Sequence, residues 1–260
     1  MANSPSGESM VHRIVRVIEA FDGEHHTLSA AELARRSGLP SSTAYRIVDE
    51  LLAESVLDRD GQRLRLGTRL WELVSRGSKV LGLREAALPF MEDVQSVVGH
   101  HTTLGVVDQQ DVLYIERIGS SESAVNITRV AGRLPIHATS TGLVLTAFGP
   151  VDAQETFLRR RLPKLTDTTV IDPDELRRQL AEIRRSGYCV MPGTIVPEST
   201  GVAVPVFNAD GAAVAALSVV IPRVNGPVQT SITALQTASR GISRALGWDG
   251  TLRDAIRRSL

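Results

Sequence analysis

A chain of 260 residues can hold one large or two ordinary domains, and 42% apolar with 22% charged residues are globular values. The formal net charge is zero, so no overall field draws a polyanion; the single cysteine, Cys189, excludes an internal disulfide. No apolar run approaches the ~18 residues of a membrane span, and MANSPSGES lacks a signal-peptide pattern, so a cytoplasmic chain with no membrane partner is expected.

In chain order, residues 1–8 read as a disordered lead-in. Ser9 can cap a first helix to about Phe21, with Val11, Ile14, Val15 and Ile18 inward. Residues 22–27, DGEHHT, form a polar turn. His25 and His26 have no cysteine or third histidine nearby, so neither metal nor cofactor is expected. Ser29 and Glu32 make a capping box for a helix from Ala30 to Ser37, with Ala31, Leu33 and Ala34 inward and Gly38 suited to a left-handed end. Pro40 stops that helix and can start the next.

The next helix places Ala44, Ile47, Val48, Leu51 and Leu52 on one stripe at i, i+3, i+4, i+7 and i+8. Its other face carries Ser41, Ser42, Thr43, Arg46 and Asp49, with Tyr45 at the edge. Short hydroxyls at a helix N-terminus, followed by an arginine, suit a helix that enters a DNA groove. Asp60-Gly61 between two short runs then signals a hairpin. Helix, turn, helix and hairpin spell a winged helix-turn-helix over residues 9–67. A helical hairpin that packs on a partner protein is the alternative. Residues 9–76 hold ten arginines and ten acids, so affinity for double-stranded DNA must come from local segregation of charge. Arg35, Arg36 and Arg46 lie in an acid-free stretch, residues 33–48, and Arg59, Arg63 and Arg65 on the hairpin could reach backbone or minor groove.

Leu70, Trp71, Leu73, Val74 and Val80 predict a connecting helix over 68–81 whose exposed side pairs with a second copy, with packing inside its own chain as the alternative and Gly82 separating the domains. From Leu83 to 248 a second domain is expected: a helix to Val98, strands 102–107 and 112–118 around a DQQD turn, and a third strand 124–130. Helices near 140–148 and 152–160 follow, with one that Asp172 caps and Gly187 ends. Strands 202–207 and 212–221 flank a hairpin turn before a last helix over 228–246, and 249–260 read as a charged tail. This order predicts an α+β domain, one antiparallel sheet with helices and loops closing a pocket.

The chain resembles the isocitrate lyase regulator (IclR) family of bacterial transcription factors over nearly its whole length. GLPSSTAYRIVDELL with LDRDGQRLRLG, RLPIHATSTG at 133–142, and GVAVPVFNADGAAVAALSVVIP at 201–222 after Gly187-Tyr188 carry the resemblance. It implies a winged helix-turn-helix, a connecting helix and a GAF/profilin-like effector domain. It also implies homodimers, or dimers of dimers, on near-palindromic operators, controlled by a small molecule. Carried over position by position, the effector residues are Ser140, Thr141, Gly142, Met191, Thr194, Gly201 and Ser218, with Val220 and Asn126 beside them. Gly142-Leu143 stands where the family usually has Gly-Lys. Met191 and Thr194 replace two usual acids, and Gly201 and Val220 stand where small polar residues often line the late strands. The pocket is therefore expected to be less charged than usual. A small or aromatic carboxylate, held by the Ser140-Thr141 hydroxyls and helix N–H groups, remains open, as does a neutral molecule.

Two rival readings remain. Cys189 could be a nucleophile with His100, His101 or His137 as base, although no nucleophile elbow or phosphate loop is present. The second domain could also oligomerise and sense nothing.

Overall fold

The computed structural model describes residues 8–119 and 127–250. It divides into two compact units, Met1–Lys79 and Val80–Leu260.

The first unit contains α1 (Met10–Glu19), α2 (Ala30–Ser37), α3 (Ser41–Ala53), β1 (Leu57–Asp60), β2 (Arg63–Leu66) and α4 (Thr68–Ser75). Ser29 Oγ accepts from Glu32 N at 3.2 Å while Glu32 Oε2 accepts from Ser29 N at 2.8 Å, the predicted reciprocal cap. Gly38 ends α2 at φ +63°, where Arg16 donates to the Ser37 carbonyl and a Cβ would lie 2.7 Å from Arg16 Nη2. Leu33, Ala34, Ala44, Ile47, Val48 and Leu51 close the core with Leu57 and Leu64 of the hairpin. Ala31, expected inward, is exposed. On α1 the buried line is Val17, continued by Ala20 and Phe21, with Ile14 and Ile18 half-buried. Val11 is 70% exposed and Val15 is exposed too, correcting the expected stripe. The stripe is rotated so that Val17, Ala20 and Phe21 join the cluster that holds Leu33, Ile47 and Leu57. The hairpin turn falls at Gly61-Gln62, one residue later than expected, closed by the Asp60–Arg63 pair. Gly67 is obligatory, since a Cβ there would stand 2.3 Å from the Ser55 carbonyl oxygen. Ser29→Ala is expected to lower the stability of this unit by ~1 kcal/mol; an unchanged urea midpoint would show that the cap contributes nothing.

The connecting helix is not continuous. It breaks at 76–78, where Gly77 and Ser78, both weak helix formers, adjoin. Gly82, expected to separate the domains, lies inside α5 (Lys79–Val98). No residue of α4 is buried, and Trp71 is 63% exposed.

The second unit adds β3 (His101–Asp108), β4 (Asp111–Ile118), β5 (Arg133–Pro135), a 3-10 turn (Ile136–Ala138) and α6 (Ser140–Ala147). It continues with α7 (Val151–Leu158), α8 (Pro173–Ser186), β6 (Cys189–Pro192), β7 (Ser199–Phe207), β8 (Ala213–Pro222) and α9 (Val228–Ala245). The six strands form one antiparallel sheet in the order β5-β4-β3-β8-β7-β6. Alternation sends Leu104, Val204, Leu217 and Val219 to one face, against Met91 and Val94 of α5 and Leu235 and Ile242 of α9. Tyr114, Met191, Ala203 and Ala216 go to the other face, against α6 and α8. α6 is buried all round except at Thr146. This α+β architecture, a helix-turn-helix unit followed by a helix-covered antiparallel sheet, matches the expected class.

The expected third strand corrects. Residues 124–126 fall outside the described residues, and 127–130 form no strand. Pairing begins only after Ala131, which takes φ +62°: Ala131 N donates to the Tyr114 carbonyl at 2.8 Å, and β5 follows.

Candidate nucleic-acid interface and ligand cavity

α3 presents Ser41, Ser42, Tyr45 and Arg46 to solvent, with Thr43 half-buried. Pro40 offers no side-chain cap, and the N–H groups of Ser41 and Ser42 have no partner among the described residues. Two free N–H groups at a helix N-terminus are suited to a phosphate oxygen. Arg46 is 59% exposed and only loosely paired, its Nη1 3.6 Å from Glu50 Oε1. Arg35, Arg59 and Arg65 are exposed, and their side chains make no hydrogen bond or ion pair among the described residues.

Two of the ten candidate residues are engaged internally. Arg36 Nε donates to the Ala20 carbonyl at 2.7 Å, and its Nη2 meets Asp22. Arg63 Nη2 donates to the Thr27 carbonyl at 2.9 Å and to Glu32 at 3.0 Å. The hydrogen bond from His25, then the Glu24 N–H, hold the Asp22 carboxyl far below its usual range. The Ser29 N–H and hydroxyl lower that of Glu32. Both acids stay ionised, so each remains an ion-pair partner for its arginine.

In the second unit a cavity of about 50 Å³ lies between the sheet and the start of α6. Ser140, Thr141, Met191, Thr194, Gly201, Ser218 and Val220 line it together, with Tyr114, Thr139, Ile127, Thr128 and Val196. Its polar side is a chain of hydroxyls. Thr141 donates to Ser218 Oγ at 3.0 Å, Thr103 and Ser218 share a bond of 2.7 Å, and Tyr114 bonds with Thr141 and Thr139. Burial pushes the Tyr114 phenol up to about 12 despite those bonds, so it stays neutral. Thr194 is committed to the Ala138 carbonyl at 2.8 Å. Ser140 is 5% exposed, and its hydroxyl has no partner among the described residues. A Cβ on Gly201 would approach Ser140 Oγ to 2.8 Å, so glycine keeps that hydroxyl clear. No described lining residue is charged. A wider groove of about 970 Å³ between α5 and α9 is mostly apolar, but no buried polar groups converge in it.

Residues 77–244 match the family description "Bacterial transcriptional regulator IclR C-terminal", and residues 10–61 match "IclR helix-turn-helix domain". The chain belongs to the IclR family of bacterial transcriptional regulators. Among IclR-family proteins, it is 32% identical over 225 residues to the uncharacterized HTH-type transcriptional regulator RhmR of Escherichia coli (strain K12), covering 85% of this chain and 86% of RhmR. It is 29% identical over 247 residues to XynR of the same organism, covering 92% and 97%. A crystal structure of an IclR homolog from Microbacterium hydrocarbonoxydans, complexed with 4-hydroxybenzoate, is 45% identical, with a TM-score of 0.84 over 92% of this chain and 99% of that one.

Within this IclR-family chain, the expected effector residues divide. Seven line the cavity. Gly142 does not: a Cβ there would stand 2.3 Å from the Ile136 carbonyl oxygen, so it is a packing glycine. Asn126 lies outside the described residues. Sequence reasoning missed Tyr114 and Thr139. A phenol amid the apolar run VLYIERI was a usable signal, because a buried tyrosine hydroxyl needs a partner. Leu143 points into the core with α8 and not into the cavity, so the usual lysine is not subtracted from this wall. The nucleophile reading of Cys189 meets a thiol that burial pushes up to about 12, opposite to activation. His137 Nε2 is tied to the Pro163 carbonyl at 2.8 Å. Relatives of this chain are transcriptional regulators.

Proposed function

We propose that this DNA-binding regulator is controlled by a small hydroxylated aromatic carboxylate. The observation that carries the reading is the small cavity, with no charged residue in its described lining, that has a hydroxyl chain on one side and the unpaired Ser140 hydroxyl on the other. A ring phenol can join the Tyr114–Thr141–Ser218 chain. A carboxylate can take the Ser140 hydroxyl and the first N–H groups of α6. The 4-hydroxybenzoate complex of the 45% identical homolog supports the same class.

An engineered cavity of ~150 Å³ accommodates benzene, so a ring has to displace part of the wall here. Ile127–Thr128 and Ile195–Val196 are the parts of that wall outside helices and strands. Differential fit of that displaced wall is what couples ligand to DNA. A coupling of ~1–3 kcal/mol changes occupancy several-fold to about a hundredfold.

On DNA, α3 of each copy in a dimer enters one of two major grooves ~34–36 Å apart. Arg46 reads a base edge, with Ser41, Ser42, Thr43 and Tyr45 on phosphates and Arg35, Arg59 and Arg65 on backbone or minor groove. Arg36 and Arg63 act by holding the fold. The exposed apolar residues of α4, Trp71, Leu73 and Val74, are where a second copy packs. Regulation of transcription places this activity with the chromosome, and no described helix is long and apolar enough to cross a membrane.

Thermal unfolding of the full chain with 4-hydroxybenzoate, benzoate and neutral phenols tests the effector reading. At a hundred times its dissociation constant the true ligand adds ~2.7 kcal/mol. No stabilisation by any hydroxylated aromatic acid favours a second domain that only oligomerises.

A further inference from the structure

The described lining of the cavity has no cation, yet one stands on the same face of the sheet. Thr103 pairs in register with Ser218 on one side and with Arg117 on the other, so the three side chains share a face. One row along, His101 pairs with Val220, which pairs with Gly201. Ser218, Val220 and Gly201 all line the cavity; His101 and Arg117 continue that wall on the next two strands.

Among the described residues Arg117 has no counter-charge. Its Nε is buried with no hydrogen-bond partner, and Nη2 lies 3.1–3.3 Å from the ring nitrogens of His101. Burial, then Arg117 itself and His100, lower the His101 pKa, which keeps the ring neutral. The neighbouring Glu116 points to the opposite face and pairs with Arg84 at 2.6 Å. Among the described residues no carboxylate is paired with Arg117. A partly buried guanidinium left in this state favours any anion brought near it.

We propose that Arg117 is the charge selector of the cavity, making it prefer a carboxylate over the neutral isostere of the same shape. This rests on the effector reading above, and gives the acid a source of discrimination that the hydroxyl lining lacks. Arg117 lies two strand spacings from Ser218, ~10 Å at the backbone. It stands on the Ser218 side, across the cavity from Ser140, and therefore acts on a carboxylate held there by its field.

The test is calorimetric titration of full-length wild type, Arg117→Gln and Arg117→Lys with 4-hydroxybenzoate and 4-hydroxybenzamide. Wild type is expected to prefer the acid. Arg117→Gln should weaken acid binding at least about tenfold, ~1.4 kcal/mol, and amide binding less than about threefold. Arg117→Lys should keep most of the preference. Retained amide binding also shows that the Gln variant is folded. Equal weakening of acid and amide, or acid binding unchanged in Arg117→Gln, overturns the selector role and leaves the effector reading standing. Wild type that binds neither compound overturns both.

Discussion

Arg46→Ala is expected to weaken binding to a selected operator about 5- to 150-fold for each half-site, the ~1–3 kcal/mol of a bidentate arginine–base contact, and to relax preference at one base position per half-site. The exposed guanidinium is held only by a 3.6 Å pair with Glu50, so little internal structure is lost with it. Arg36→Ala is the instructive contrast. It removes bonds to Ala20 and Asp22, so it should lower the stability of the first unit while folded protein keeps its sequence preference. Operator selection from a random pool, followed by titrations at two salt concentrations, separates these outcomes. An Arg46→Ala protein that binds the selected site as tightly as wild type would sink the recognition-helix assignment.

Leu143→Lys, which restores the residue usual in the family, is expected to destabilise the second unit by ~3–5 kcal/mol at neutral pH, because it buries a charge without a partner. Leu143 is 1% exposed, in a cluster with Leu176, Leu180 and Met191. Such a lysine has its pKa depressed in the folded state. Between that value and ~10.4 the unfolded chain binds more protons, so the deficit should shrink as pH rises through that window. Denaturant titrations at neutral and alkaline pH check both magnitude and sign. A loss below ~1 kcal/mol, or one that grows with pH, would mean that the ammonium reaches water or a hidden partner.

Wherever a local rule decides the structure, the sequence was readable. The Ser29–Glu32 box, the Gly38 and Gly187 helix ends, the Asp172 cap and the stripe of α3 all follow from residues a few places apart. The misreadings arise where distant partners choose between similar local options. On α1, the 11-14-15-18 stripe and the line through 14, 17, 18 and 21 have the same period; only the packing of Ala20 and Phe21 separates them. Ile127 and Val130 look like strand residues, but Ala131 and Gly132 take the backbone of Tyr114 first. At the cavity, the resemblance found the α6 side and the late strands. Tyr114 enters from β4, and Arg117 stands beyond Thr103 on the same face, through a register that no spacing encodes.

The strand order has a further consequence, for solubility. The outermost strands, β5 and β6, are three and four residues long, and each ends on a proline, Pro135 and Pro192. Proline has no N–H to offer, and short rims leave few free rungs for a foreign strand to extend the ladder. The sheet is therefore protected against stacking rim to rim into polymers, and any assembly of this chain has to be built from side-chain surfaces, where specificity can be written.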